Sequence, residues 1–221
     1  MIRVKICGIT TLDDALAAVD AGADMLGLNF YRKSQRFIEP DAARDLCRAL
    51  RAELGAETPL LVGVFVNEIV SRISSTMDLV GLDCAQLSGD ESLEMLRELR
   101  GIAFKAIRPR TTAEALDDAG YYGQFAPANE DMPSLLVDAF KKGEYGGTGE
   151  QTLDDVALAL KAVTPRLMLA GGLNPDNVAA RVGTVQPWGV DVASGVEGDQ
   201  PGRKDHGKVR AFVGAVREAS T

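Results

Sequence analysis

The chain has 221 residues, with 24 Lys and Arg against 32 Asp and Glu, a formal net charge of −8. That sign repels nucleic acid phosphates and anionic membrane surfaces, so neither is an expected partner, and an anionic ligand must be met by local cations or backbone N–H groups. Hydrophobic residues make up 46% and charged residues 25%; a globular chain of this length buries roughly 70% of its unfolded surface and needs no disulfide or metal staple.

The opening Met1-Ile2-Arg3-Val4-Lys5 has no apolar leader, and no run approaches the roughly 18 apolar residues of a membrane span. A soluble, cytoplasmic protein is expected. Cys7, Cys47 and Cys84 are odd in number and form no C-x-x-C pair, which fits a reducing cytosol better than a disulfide framework. His206 is the only histidine, so a zinc site built from His and Cys is not expected.

Short runs rich in Val, Ile and Leu recur along the chain, and each predicts a short buried strand. They are Val4–Ile6, Met25–Phe30, Leu60–Val66, Leu82–Leu87, Ile102–Ile107, Leu135–Val137, Leu167–Ala170 and Trp188–Val192. Helical spacing lies between them. Leu12, Ala15, Leu16 and Val19 mark a first helix, with Asp13 and Asp14 in its first turn and Gly22 at its end. Ala43, Leu46, Cys47 and Leu50 mark a second, after Pro40. Tyr121 to Pro133 reads as a helix end and loop. Leu153, Val156, Ala157 and Leu160 resume the spacing, Asn174-Pro175 reads as a cap followed by proline at the first helical position, and Val209, Phe212, Val213 and Val216 close the chain. Strands alternating with helices imply parallel pairing with right-handed crossovers. Eight such units favour a closed barrel over an open doubly wound sheet. The expected class is α/β, a single (β/α)8 TIM barrel forming one domain over residues 1–221. In that architecture, catalytic residues sit at the C-terminal ends of the strands.

Four candidates meet that rule. Cys7 ends the first strand, where a thiol is either a base at the barrel mouth or a small core hydrophobe. Lys5, two residues earlier, faces the same side; it either favours the thiolate or pairs with a carboxylate. Asp138 ends the sixth strand, as a general acid or as a cap of the next loop. Glycine segments follow the last three strands: Gly146-Gly147-Thr148-Gly149, Gly171-Gly172 and Ser194-Gly195. They are plain turns or a phosphate cradle, and the positions after strands seven and eight favour phosphate. Arg36 closes the basic loop Tyr31–Arg36. It is a solvated cation or a carboxylate clamp, and the following Phe37-Ile38 favours the clamp. Cys47 and Cys84 read as structural.

Taken together, these residues make the chain resemble the phosphoribosylanthranilate isomerase family from its first strand to its last helix. The motifs are K-I-C-G-I-T at 5–10, A-G-A-D at 21–24, G-L-N-F at 27–30, S-Q-R-F-I at 34–38 and V-G-V-F-V-N at 62–67. L-V-D-A at 136–139, G-G-T-G at 146–149, L-A-G-G-L-N-P-D-N-V at 169–178 and G-V-D-V-A-S-G-V-E at 189–197 complete the set. The resemblance implies an Amadori rearrangement of N-(5′-phosphoribosyl)anthranilate in tryptophan biosynthesis, with Cys7 as general base and Asp138 as general acid. It implies that Arg36, Gln86 and Asp191 bind substrate, with Asp191 near the sugar hydroxyls. It places phosphate on Gly147, Thr148, Gly149, Gly171, Gly172, Ser194 and Gly195. It calls for no metal or redox cofactor. The expected partner is a small phosphorylated substrate, and the expected assembly is a monomer or homodimer.

Three positions depart from the family pattern. Gln86-Leu87-Ser88-Gly89 carries serine where many members have histidine, Glu150 stands where lysine is common, and Asp154-Asp155-Val156 occupies a stretch that often includes tryptophan. Rival readings are another sugar-phosphate barrel enzyme, such as an epimerase or a histidine-pathway isomerase, or a barrel that only senses a phosphorylated ligand.

Overall fold

Two faces of each strand are buried, and what they meet differs. The structure, a computed structural model, describes residues 1–138 and 153–220. Eight strands occupy β1 (Arg3–Cys7), β2 (Met25–Asn29), β3 (Leu60–Phe65), β4 (Cys84–Leu87), β5 (Ala103–Ile107), β6 (Leu135–Asp138), β7 (Leu167–Ala170) and β8 (Gly189–Val192). Each pairs in parallel with the next, and β8 pairs with β1 to close the cylinder. All eight expected runs are strands, most of them a residue or two shorter than the apolar stretch.

Side chains of alternate residues point to opposite faces. Inward, Met25, Val62, Cys84, Phe104, Ala106, Leu136, Met168 and Ala170 form one buried cluster. Outward, Val4, Ile6, Leu26, Leu28, Leu61, Val137, Leu169 and Val190 join the apolar faces of the helices. Because both faces meet carbon, the strands read as unbroken apolar runs rather than as an alternation.

The helices are α1 (Leu12–Asp20), α2 (Pro40–Leu54), α3 (Val70–Val80), α4 (Leu93–Glu98), α5 (Thr112–Tyr122), α6 (Leu153–Val163), α7 (Val178–Val185) and α8 (His206–Ala219). Thr11 caps α1, its hydroxyl accepting the Asp14 N–H, and Asp205 caps α8 by accepting from Lys208 N–H. Pro40 opens α2, where its missing N–H costs nothing. Asn174-Pro175 does not open a helix. The Asn174 Oδ1 accepts from the N–H groups of Asp176 and Asn177, tying the chain into a turn, and α7 starts three residues later than the sequence suggests. Tyr121–Pro133 is a helix end, a short 3-10 turn at Gly123–Phe125 and a loop, as expected. Among the described residues, no helix is long and apolar enough to cross a membrane.

The last helix seals the seam. Val209, Phe212, Val213 and Val216 of α8 are buried against the outer faces of the first and last strands. Phe212→Ala is expected to cost about 3–5 kcal/mol of unfolding free energy, the range for an emptied aromatic site. Urea denaturation checks it; a loss below about 1 kcal/mol would mean that α8 does not carry the closure.

Candidate active site

The floor of the site is an ion pair. Register places Lys5 of β1 directly beside Asp191 of β8, both inward, and the Lys5 Nζ lies 2.9 Å from Asp191 Oδ1. Lys5 is 0% exposed. Burial by itself pulls its ammonium down, yet Asp191 and Cys7 hold it above the ordinary lysine range. Of the two sequence readings of Lys5, pairing with a carboxylate holds.

Cys7 stands one layer above, at the end of β1, and its thiol is buried. Burial pushes the Cys7 thiol above its ordinary value; Lys5 and Lys204 pull against the rise and Asp191 adds to it. The thiol therefore favours its protonated form, and only its ionised fraction can act as a base. Space for both groups comes from Gly27, the residue across from Cys7 on β2. A Cβ at Gly27 would lie 2.8 Å from Cys7 Sγ and 3.1 Å from Lys5 Nζ. Sequence reasoning did not single out this glycine for the site. By contrast Cys47 and Cys84 are buried among apolar groups, with thiols pushed up to about 11 and about 12, first by burial. Their structural reading stands.

Arg36 lies over Gly8, whose φ of +78° admits the turn; a Cβ there would be 2.5 Å from Arg36 Cδ. Its Nε and Nη2 donate to Glu197 Oε1 and Oε2 at 2.6 and 2.8 Å. Glu197 also accepts from Lys204 Nζ at 3.3 Å. Burial alone would raise the Glu197 carboxyl, but the Arg36 fork and Lys204 hold it below the usual carboxylate range. The basic loop divides as the sequence suggested: Arg32 is 71% exposed and Arg36 25%. One end nitrogen of the Arg36 fork, Nη1, takes no part in the Glu197 pair.

Asp138, Asp191, Gln86, Gly171, Gly172 and Ser194 are brought together around a cavity of about 250 Å³ at the C-terminal mouth, with Arg108 and Ala193 beside them. Cys7 and Arg36 are not among its walls; Cys7 lies near the wall residue Asp191, and Arg36 lies near Cys7. Asp138 is one-third exposed, and Arg108 Nε donates to its Oδ2 at 3.1 Å. Gln86 is 5% exposed. Its Nε2 donates to Ser88 Oγ at 3.0 Å, while its Oε1 has no partner among the described residues. A buried carbonyl left unpaired costs about 1–3 kcal/mol, so it marks a place where something polar should enter.

Gly171 and Gly172 both have positive φ, 98° and 62°. Among the described residues, their N–H groups and those of Ser194 and Gly195 donate to no other backbone group. Ser194–Val196 forms a short 3-10 turn, and Gly195 is forced to be glycine because a Cβ would lie 1.8 Å from the Leu173 carbonyl oxygen. Gly147, Thr148 and Gly149 lie outside the described residues. No group of three or more His, Cys, Asp or Glu side chains is placed to hold a metal ion among the described residues.

Sequence reasoning missed Arg108, Glu197 as the partner of Arg36, and Lys204. Arg108 follows the fifth strand directly, where the positional rule looks, and could have been found. Lys204 sits in a loop of mixed charge and gives no such signal.

A family profile for N-(5'phosphoribosyl)anthranilate (PRA) isomerase matches residues 4–215. The N-(5'-phosphoribosyl)anthranilate isomerase of Roseiflexus sp. (strain RS-1) is 46% identical over 223 residues, covering 100% of both chains. Among solved structures, phosphoribosyl anthranilate isomerase from Thermotoga maritima matches with a TM-score of 0.83 at 38% identity, over 99% of this chain and 100% of that one. A crystal structure of phosphoribosyl anthranilate isomerase in complex with reduced 1-(o-carboxyphenylamino)-1-deoxyribulose 5-phosphate matches with a TM-score of 0.81 at 35% identity, over 99% and 100%. The chain belongs to the N-(5'-phosphoribosyl)anthranilate isomerase family.

Proposed function

We propose that the chain converts N-(5′-phosphoribosyl)anthranilate into 1-(2-carboxyphenylamino)-1-deoxyribulose 5-phosphate, a step of tryptophan biosynthesis, with Asp138 as general acid and Cys7 as general base. One observation carries the reading: among the described residues, a single mouth joins two carboxylates, an unpaired amide oxygen and the backbone N–H groups of Gly171, Gly172 and Ser194, which donate to no other backbone group, and the Cys7 thiol lies near one of the carboxylates, Asp191.

Asp138 protonates the furanose ring oxygen. The C1′–O bond then breaks as the aniline nitrogen donates its lone pair, giving an iminium. That electron sink acidifies the C2′ proton, which the Cys7 thiolate removes. The resulting enolamine loses its hydroxyl proton and gains one at C1′, giving the ketone. One proton leaves Asp138 and one arrives at Cys7; exchange with solvent after the product forms returns a proton to Asp138 and removes one from Cys7, so the net change is an isomerisation. Each assisted transfer is worth roughly 10²–10⁴ in rate. The N–H groups of Gly171, Gly172, Ser194 and Gly195 are suited to the phosphate, and the family motif adds Gly147, Thr148 and Gly149 as further phosphate-binding residues. Asp191 and the Gln86 Oε1 accept from sugar hydroxyls, and the Arg36 donors outside the Glu197 pair meet the anthranilate carboxylate. A cytoplasmic setting fits, because Cys7 must remain a free thiol.

Purified protein added to freshly generated phosphoribosylanthranilate should abolish its fluorescence. Cys7→Ser and Asp138→Asn should each lower kcat at least about 100-fold while the affinity for the product stays within about threefold. Wild-type turnover in both variants would leave this chemistry without its acid and base.

A raised thiol has a second consequence. A base whose proton affinity is raised by burial is mostly inactive below its shifted value and gains strength as pH climbs through it. Alkylation of Cys7 by iodoacetamide, followed by mass spectrometry, should therefore keep accelerating above the ordinary thiol midpoint of about 8.5. A plateau below that midpoint would contradict the buried, desolvated thiol.

A further inference from the structure

Arg108 spans three strand ends. It follows β5, its Nε donates to Asp138 Oδ2 at 3.1 Å at the end of β6, and its Nη1 donates to the Ser88 carbonyl at 3.0 Å beyond β4. Among the described residues that line the cavity, it is the one cation. Exposed ion pairs add little to stability, and this guanidinium is 58% exposed, so the pair is not a fold-holding device.

Its anchor, in contrast, is rigid. The Ser88 N–H donates to the Phe65 carbonyl at 2.8 Å. Next to it, the Gly89 N–H donates to both oxygens of the buried Glu91, and Lys105 Nζ joins Glu91 Oε2 at 2.9 Å and the Gly89 carbonyl at 2.6 Å. Lys105 and Glu91 are both almost wholly buried. The segment 88–91 is thus clamped to the barrel wall from below. Asp138 has no such support, since Arg108 is its only polar side-chain partner among the described residues.

We propose that Arg108 is a positioning residue for this reaction: anchored on the Ser88 carbonyl, it fixes Asp138 by Oδ2 and leaves Oδ1 as the oxygen that carries the transferable proton. The proposal rests on the reading of Asp138 as the general acid. A tether of this kind acts on the chemical step, because an acid displaced by about 1 Å can lose up to about 100-fold in rate. It leaves the phosphate and carboxylate contacts on the other walls untouched.

Steady-state kinetics on phosphoribosylanthranilate with Arg108→Met, Arg108→Lys, Asp138→Asn and the Arg108→Met/Asp138→Asn double variant test it. Arg108→Met should lower kcat roughly 10- to 100-fold with KM within about threefold, and Arg108→Lys should recover part of the loss, since an ammonium reaches Asp138 but cannot hold both partners in a fixed fork. In the Asp138→Asn background, Arg108→Met should change kcat by less than about twofold, there being no acid left to place. Melting temperatures of all four should stay within about 4 °C of the parent. Three results would overturn the proposal: unchanged kcat in Arg108→Met, a loss confined to KM, or an equal loss with and without Asp138. Full activity of Asp138→Asn would instead remove the general-acid reading itself, whatever Arg108 does.

Discussion

The Lys5–Asp191 pair is the constraint from which the site is built. It joins residues 186 positions apart, across the β1–β8 seam that closes the cylinder. An ammonium with no exposed surface would cost several kcal/mol if left alone, so the register that sets Asp191 beside it is strongly selected over a shifted one. A one-residue slip of β1 would turn Lys5 out among the apolar side chains of the helix layer and leave Asp191 inside without its partner. The same pair then decides the character of Cys7. Lysine alone would favour a thiolate, but with its charge largely answered by Asp191 it cannot overcome the desolvation of the sulfur.

To receive the proposed phosphorylated substrate, a protein with net charge −8 needs local positive potential. On the β1 side the cations are present but answered: Arg36 by Glu197, Lys204 by Glu197, Lys5 by Asp191. On the β7–β8 side the described cavity wall carries no cation, and it offers the backbone N–H groups of Ser194 and of the left-handed Gly171 and Gly172. Fixed dipoles attract an anion without a mobile side chain having to be ordered first. Answered cations, in turn, hold their place and can offer unused donors to a carboxylate in a defined direction.

How much of this could be read beforehand depends on the range of the interactions. The strands were legible because a sheet buried on both faces writes a local signal, Leu167–Ala170 being matched residue for residue. Cys7, Asp138, Gly171-Gly172 and Ser194-Gly195 were legible because topology sends every strand end to one rim. Arg36 was legible as a buried-leaning cation beside Phe37, but its partner Glu197 lies 161 residues away and no local pattern announces it. Gly27 was hidden for the same reason, since its need arises from side chains on the neighbouring strand. The start of α7 was misread because asparagine before proline stabilises a turn as readily as a helix cap, and only the tertiary path of the chain chooses.

Layering explains why the mouth remains receptive. Each inward functional residue stands two positions beyond another inward residue of its own strand. Cys84 lies below Gln86, Leu136 below Asp138 and Met168 below Ala170, and this lower layer is buried throughout and, apart from Lys5, apolar. A polar atom in the upper layer finds only carbon beneath it and must look sideways or upward for a partner. Sideways contacts satisfy Asp191 through Lys5 and the Gln86 amide nitrogen through Ser88. The Gln86 Oε1 is left over, and the close-packed floor cannot shift to bury or satisfy it. Its remaining direction is the open rim, so the same packing that makes the barrel stable leaves, among the described residues, an unspent hydrogen-bond acceptor in the wall of the mouth.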